Sequence, residues 1–143
     1  MVPAQLFQAH PSLEGLPIGQ LKYASLEYAT DSLTPLKELI LRMAAGIREP
    51  RVSYTFRHLA PGGCFGHGRW HKDGREQPEE VHRLLTIGGC PTEGQGGFIL
   101  HAGTVWEYSG AYLHRAVPST MGGPRLMLRI SQTEMHYRNF WNT

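Results

Sequence analysis

Aspartate and cysteine are both scarce in this 143-residue chain: Asp31 and Asp73 are the only aspartates, and Cys64 and Cys90 the only cysteines. Two thiols without C-x-x-C spacing argue against a disulfide framework or a thiolate zinc cluster, and read as inert buried thiols in a reducing cytoplasm. No apolar run approaches the length needed to cross a bilayer, so no membrane partner is expected. Met1 to Gln8 has no basic segment followed by a long apolar stretch, so no signal peptide is read. Basic residues form no tract either. With a net charge of only +2, nucleic acid is a possible partner that charge does not point to. Eleven of the fourteen basic residues are arginine, which favours bidentate pairing with carboxylates over a diffuse basic surface. No internal repeat is visible, and nothing fixes the oligomeric state.

What is present fits one soluble globular domain spanning residues 1–143. Hydrophobic content of 41% and charged content of 18% supply one core and give no sign of disorder. Residues 1–30 are a Pro/Gly-punctuated lead-in, expected to be extended or irregular over the domain edge. Residues 34–47 read as the only substantial helix. Thr34 can cap it, Pro35 suits its first position and Gly46 can end it. Leu36, Leu39, Ile40, Met43 and Ile47 recur at three- and four-residue steps as one apolar stripe.

From residue 51 to 133 the pattern changes to short strands bounded by Gly, Pro or Ser. The expected strands are Arg51–Leu59, Val81–Ile87, Gly97–His101, Thr104–Tyr108, Tyr112–Val117 and Pro124–Thr133. Many short strands after one helix predict a mainly β fold, a barrel or two-sheet roll with the helix packed outside. In the last strand Leu126, Leu128 and Ile130 share one face, and Arg125, Met127, Arg129 and Ser131 share the other. If the second face lines a barrel interior, its two guanidiniums need partners, and a dicarboxylate would supply them.

The chemistry concentrates in His71-Lys72-Asp73 and in His114. Two imidazoles and one carboxylate can occupy one face of a six-coordinate metal and leave the other open, as in the facial triad of non-haem iron(II) oxygenases. A hairpin joining the His114 strand to the last strand would place His114 and the arginines in one cavity. Plainer assignments exist for each residue. Asp73-Gly74 can be a simple turn, His114 a core histidine, and Arg125 and Arg129 surface ion-pair partners. His67 and His71 have the four-residue spacing of a helical zinc pair, but lie among glycines and lack the zinc-protease glutamate. Trp70 could touch substrate; Trp106, Tyr108 and Tyr112 read as packing residues; His82, His101 and His136 receive no role.

Taken together, His71-Lys72-Asp73, Gly96-Gly97-Phe98, Val105-Trp106-Glu107-Tyr108, Leu113-His114-Arg115 and Gly123-Pro124-Arg125 leading to Arg129-Ile130-Ser131 resemble the iron(II)/2-oxoglutarate-dependent oxygenase superfamily. The likeness runs from about residue 51 to 133. It implies a double-stranded β-helix (a jelly-roll, cupin-like barrel), with Fe(II) held by His71, Asp73 and His114. It also implies 2-oxoglutarate and molecular oxygen as co-substrates of a dioxygenase, most often a hydroxylase. A basic residue after the second histidine would anchor the far carboxylate of 2-oxoglutarate. Arg125 matches by spacing, and Arg129 with Ser131 matches the Arg-x-Ser variant; both are retained, with Arg125 ahead. Thr86 stands where members often carry a hydroxyl for the same carboxylate. The chain is short for the superfamily, and Gly74 to Glu80 offers little material for a lid.

The expected substrate is a small molecule, an amino-acid derivative or a nucleobase. Two other readings compete. One is a cupin-type metal enzyme without 2-oxoglutarate, its ligands drawn from His67, His71, a glutamate among residues 76–80, and His114. The other is a non-catalytic barrel that binds carboxylates through Arg125 and Arg129.

Overall fold

A computed structural model describes residues 2–64, 68–89 and 91–135. His67, Cys90 and His136 lie outside the described residues. The protein is mainly β, a jelly-roll of two antiparallel sheets with helices on one outer face. Its strands are β1 (Ala4–Gln8), β2 (Gly19–Ser25), β3 (Arg51–Leu59), β4 (Val81–Ile87), β5 (Thr92–Gly94), β6 (Phe98–Leu100), β7 (Thr104–Ser109), β8 (His114–Ala116) and β9 (Gly123–Gln132). Six of them form a sheet in the order β1-β7-β4-β9-β3-β2, and three form a small sheet in the order β6-β5-β8. Among the described residues no helix is long and apolar enough to cross a membrane.

Strand β9 organises the large sheet. It pairs with β3 along its length, from Arg51 opposite Ser131 to Leu59 opposite Gly123, and with β4 on its other edge. Its alternation holds as read from the sequence. Leu126, Leu128 and Ile130 are wholly buried with Val52, Tyr54, Phe56 and Leu85 on the outer face of the sheet. Each such side chain contributes about 1.5–3 kcal/mol by leaving water. The helical stripe covers them: Leu36, Ile40 and Met43 are buried in the same cluster, with Ile47 at its margin. Arg83 ties this layer down from the sheet, donating to the carbonyls of Met43 and Ala45 and to Glu107.

The N-terminal thirty residues are more ordered than their composition suggests. β1 and β2 are the two edge strands of the large sheet, and a second helix, α1 (Leu26–Ser32), follows β2 directly. The Ser25 hydroxyl accepts from the Tyr28 amide and caps α1. The expected helix at residues 34–47 is a 3-10 turn (Thr34–Leu36) running into α2 (Lys37–Ala44). Leu33 rather than Thr34 occupies the cap position, without a side-chain bond. Gly46 (φ +79°) supplies the left-handed turn beyond the helix.

One expected pairing does not form. β8, with His114, is not the hairpin partner of β9; it pairs with β5 in the small sheet. Consecutive strands pair by default. Here the chain crosses between sheets after β8, so His114 faces the arginines from the opposite wall. Leu84, Trp106 and Tyr108 of the large sheet pack against Leu100 and Tyr112 between the two sheets. Beside this aromatic wedge lies an open cavity.

Candidate metal centre

Backbone pairing brings the two histidines together. Outside the named strands, His71 forms an isolated antiparallel bridge with His114: its amide donates to the His114 carbonyl at 2.9 Å, and the His114 amide returns the bond at 3.0 Å. Their rings meet edge to face, centroids 4.5 Å apart. Each ring is then turned by its own second nitrogen. His71 Nδ1 lies 2.8 Å from the Arg69 carbonyl, and His114 Nδ1 lies 3.0 Å from the Tyr112 carbonyl. A carbonyl only accepts, so both Nδ1 atoms carry the proton and both Nε2 atoms present lone pairs inward.

Asp73 meets those lone pairs. His114 Nε2 stands 3.0 Å from Asp73 Oδ2, and His71 Nε2 stands 3.6 Å from Oδ1. An unprotonated imidazole nitrogen and a carboxylate oxygen are both acceptors, so a cation must sit between them: a second proton or a metal ion. The donor atoms of His71, Asp73 and His114 all lie within 4.8 Å of one another. Donors at right angles around an ion and about 2.1 Å from it are separated by about 3 Å. The donor set, the spacing and the orientation of both imidazoles fit a metal. Among the described residues this is the one cluster of three such side chains.

The carboxylate is held from behind. Asp73 opens a tight turn, with the Glu76 amide donating back to its carbonyl, so the Asp-Gly turn and the ligand are one structure. Gly74 takes φ +62°, and a Cβ there would lie 2.8 Å from Glu80 Oε1 and 3.0 Å from the His82 ring. The Gly74 amide donates to the Tyr23 hydroxyl at 2.9 Å. Tyr23 itself sits at φ +48°, where the register of β2 against β3 slips. Such a bulge re-aims a side chain, and here it lays the ring beneath the Arg129 guanidinium, 5.2 Å away. Arg129 Nη1 reaches Asp73 Oδ1 at 3.1 Å, and the Tyr108 hydroxyl donates to Oδ2 at 2.5 Å.

These partners set the charges. Burial pushes the Asp73 carboxyl up, but Arg129, His114 and His82 outweigh it and hold the group well below the usual carboxylate range. Burial opposes the charge on Arg129 as well, yet Asp73 keeps that guanidinium above its ordinary value. Tyr108 is pushed far up by burial and by the adjacent Asp73, so it stays a hydroxyl donor. His82, wholly buried, is lowered to about 4 by burial and by Arg129. It stacks on Tyr108 and shares a 2.8 Å hydrogen bond between Nδ1 and the Ser131 hydroxyl.

The cavity has a volume of about 440 Å³. His71, Asp73 and His114 line it together with Arg125 and Arg129. Arg125 is buried, with Nη2 3.5 Å from the Thr92 hydroxyl; Leu84 and Met127 give the same region an apolar wall. The sequence-predicted residues therefore divide. His71, Asp73, His114 and Arg125 share the cavity. Arg129 shares it too, but is bound to Asp73. Ser131 is buried behind the site on His82, and Thr86 is buried without lining the cavity.

Trp70 is exposed under the Arg115 guanidinium, 4.8 Å from the ring, and does not line the cavity. Cys64 is half-buried rather than fully buried. Glu80 is buried among the Arg75 and Gln77 amides and the Thr133 hydroxyl, so it serves the turn after Asp73 and is no ligand. Sequence reasoning missed Tyr108, Tyr23 and His82. The inward alternation of Trp106 with Tyr108, and of His82 with Leu84, was the available signal for two of them. The bulge that turns Tyr23 inward has no such signature.

No protein-family model and no curated protein matches this chain. Among solved structures, it is similar to a cupin protein from Bacteroides fragilis. The two are 13% identical over 93% of this chain and 90% of that one, with a TM-score of 0.48.

Proposed function

We propose that the protein is an iron(II)- and 2-oxoglutarate-dependent oxygenase that hydroxylates a C–H bond of a small molecule. The observation that carries this reading is the convergence of two inward-facing Nε2 atoms, one carboxylate and the buried Arg125 on a single cavity. His71, Asp73 and His114 would hold the metal. Iron(II) bound there would supply the oxidising chemistry, using oxygen and the oxidative decarboxylation of 2-oxoglutarate. Everything else falls to the chain. Arg125, with the Thr92 hydroxyl beside it, pairs with the far carboxylate of the co-substrate by charge-assisted hydrogen bonds. Arg129 and Tyr108 each take one lone pair of Asp73, leaving the others pointed at the metal position. Leu84 and Met127 keep water from the co-substrate's methylene carbons.

One observation favours a second reading, a jelly-roll metal enzyme that does not use 2-oxoglutarate. Arg129, one of the two guanidiniums expected to anchor 2-oxoglutarate, is instead committed to Asp73, and the His71, Asp73 and His114 cluster can hold a metal without any co-substrate. Anaerobic titration with iron(II) and 2-oxoglutarate separates the two readings. The oxygenase reading expects a weak visible charge-transfer band that His71→Ala and Asp73→Ala abolish and Arg125→Ala weakens. A folded protein that binds iron but gives no band on adding 2-oxoglutarate leaves the second reading in place.

A further inference from the structure

The cavity carries more positive charge than the metal and its co-substrate consume. Lys22, Lys72, Arg125 and Arg129 line it, and Asp73 is the only carboxylate among its described lining residues. Arg129 is answered by Asp73, and Arg125 is placed for the co-substrate. The two lysines remain. The chain has only three lysines, Lys22, Lys37 and Lys72, so two of the three open onto this one cavity. Other cations near the site are matched: Arg115 with Glu93, and Arg75 with Glu80 and Glu134. Neither cavity lysine makes an ion pair or hydrogen bond with a described residue.

Their placement also separates them from Arg125. Lys22 is exposed and Lys72 half-buried, whereas Arg125 and Thr92 are buried at the floor. Lys22 projects from edge strand β2, two residues after Gln20, which lines the same rim. Lys72 stands between ligands His71 and Asp73. A group seated on the lysines would therefore lie toward the exposed side of the cavity. Lysine presents a point charge with three donors, suited to carboxylate or phosphate without the planar fork that arginine imposes.

We propose that Lys22 and Lys72 form an oxyanion seat at the cavity rim, and that the substrate is a small molecule carrying a carboxylate or phosphate there. The assignment of that molecule as substrate rests on the oxygenase reading; the seat itself does not need metal. It is tested by following backbone amide shifts of the metal-free protein while inorganic phosphate, and separately acetate, is added. Wild type should show saturable, salt-sensitive shifts at Lys22 and Lys72. The double variant Lys22→Ala/Lys72→Ala should bind at least about tenfold more weakly, whereas Lys37→Ala, the one lysine that does not line the cavity, should change the midpoint less than about twofold. The tighter of the two probes identifies the oxyanion.

A double variant that binds both probes as wild type does overturns the inference, as do shifts confined to Arg125. Much tighter binding of a single-stranded oligonucleotide than of phosphate overturns the small-molecule assignment. The two readings fail separately. Lysine-dependent anion binding without the iron/2-oxoglutarate band removes the oxygenase and leaves the seat, whereas the band with lysine-independent binding removes the seat alone.

Discussion

The two sheets of this protein do different work. The large sheet is long-stranded and apolar on its outer face, where Leu126, Leu128 and Ile130 sit wholly buried beneath the helices. The small sheet has strands of three residues each and is held by an aromatic wedge. Stability is concentrated in the first, and half of the imidazole pair in the second. The large sheet presents the guanidiniums and Tyr108; the small sheet and the bridge to His71 present the two histidines. A site built this way has one rigid wall and one adjustable wall, and metal binding should order the second against the first. Short strands with few buried neighbours open at lower free energy than a packed core.

The largest effect should come from the rigid wall. Leu128→Ala removes a fully buried side chain between sheet and helices and should cost about 3–4 kcal/mol of global stability, measured by denaturant unfolding. Its metal affinity, measured where the variant remains folded, should stay within about twofold of wild type, because Leu128 faces the helices while its neighbour Arg129 faces the cavity from the other side of β9. A tenfold loss of affinity would mean that the outer core also sets the site geometry, and the division between the sheets would fail.

A second test acts where the walls meet. His82 lies on β4 of the large sheet but points inward, stacked on Tyr108. Its imidazole is lowered to about 4 in the folded protein, against about 6.5 in an unfolded chain. Between those values the unfolded chain binds the extra proton, so stability is complete above pH 6.5 and falls as the pH drops toward 4. The loss by pH 4 is about 3 kcal/mol. Asp73 acts lower down, since its depressed pKa keeps its contribution until the pH falls beneath the ordinary carboxylate range. Unfolding of the metal-free protein at pH 7 and pH 4.5 should therefore show a clear decline, and His82→Gln should flatten it. An equal decline in the variant would place the sensitive group elsewhere.

The same division explains what could be read from the chain. β3 and β4 begin and end where the alternation of the sequence begins and ends, Arg51–Leu59 and Val81–Ile87, because each has one face in a core. The two faces of β9 were legible for the same reason. β5 was not: Thr92–Gly94 is too short to show a period among its Gly and Pro neighbours. β2 was hidden by the bulge at Tyr23, which breaks its alternation in mid-strand. His71, Asp73 and His114 stood out by chemistry, since a scarce aspartate beside a histidine needs no fold to be noticed. That His114 belongs to the opposite sheet depends on pairing with β5 twenty residues upstream in the ladder from Gly94. Local pattern does not encode such a contact, and the expected hairpin was the default it replaced. The pairing of Arg129 with Asp73 was equally out of reach, because it joins the last strand to a turn.

The smallest expected change in stability falls on the adjustable wall, and it should have the larger consequence for the site. Gly94 pairs with His114 in the small-sheet ladder, and a Cβ there would run into the Tyr112 hydroxyl. Tyr112 is buried, and its carbonyl is the group that orients His114 Nδ1. Gly94→Ala must therefore push Tyr112 aside, at a cost of about 1–2 kcal/mol for an overpacked contact. The strain passes to His114 through one hydrogen bond. Disturbing such an orienting partner commonly weakens a metal site by about ten- to a hundredfold. Metal titration of Gly94→Ala should show at least the lower figure, while its amide exchange in β3 and β9 stays close to wild type. The contrast with Leu128→Ala is then complete: one variant loses stability and keeps its metal, and the other keeps most of its stability and loses metal. If Gly94→Ala instead bound metal normally, the Tyr112 carbonyl would not be what fixes His114, and the backbone bridge to His71 would have to hold that ring alone.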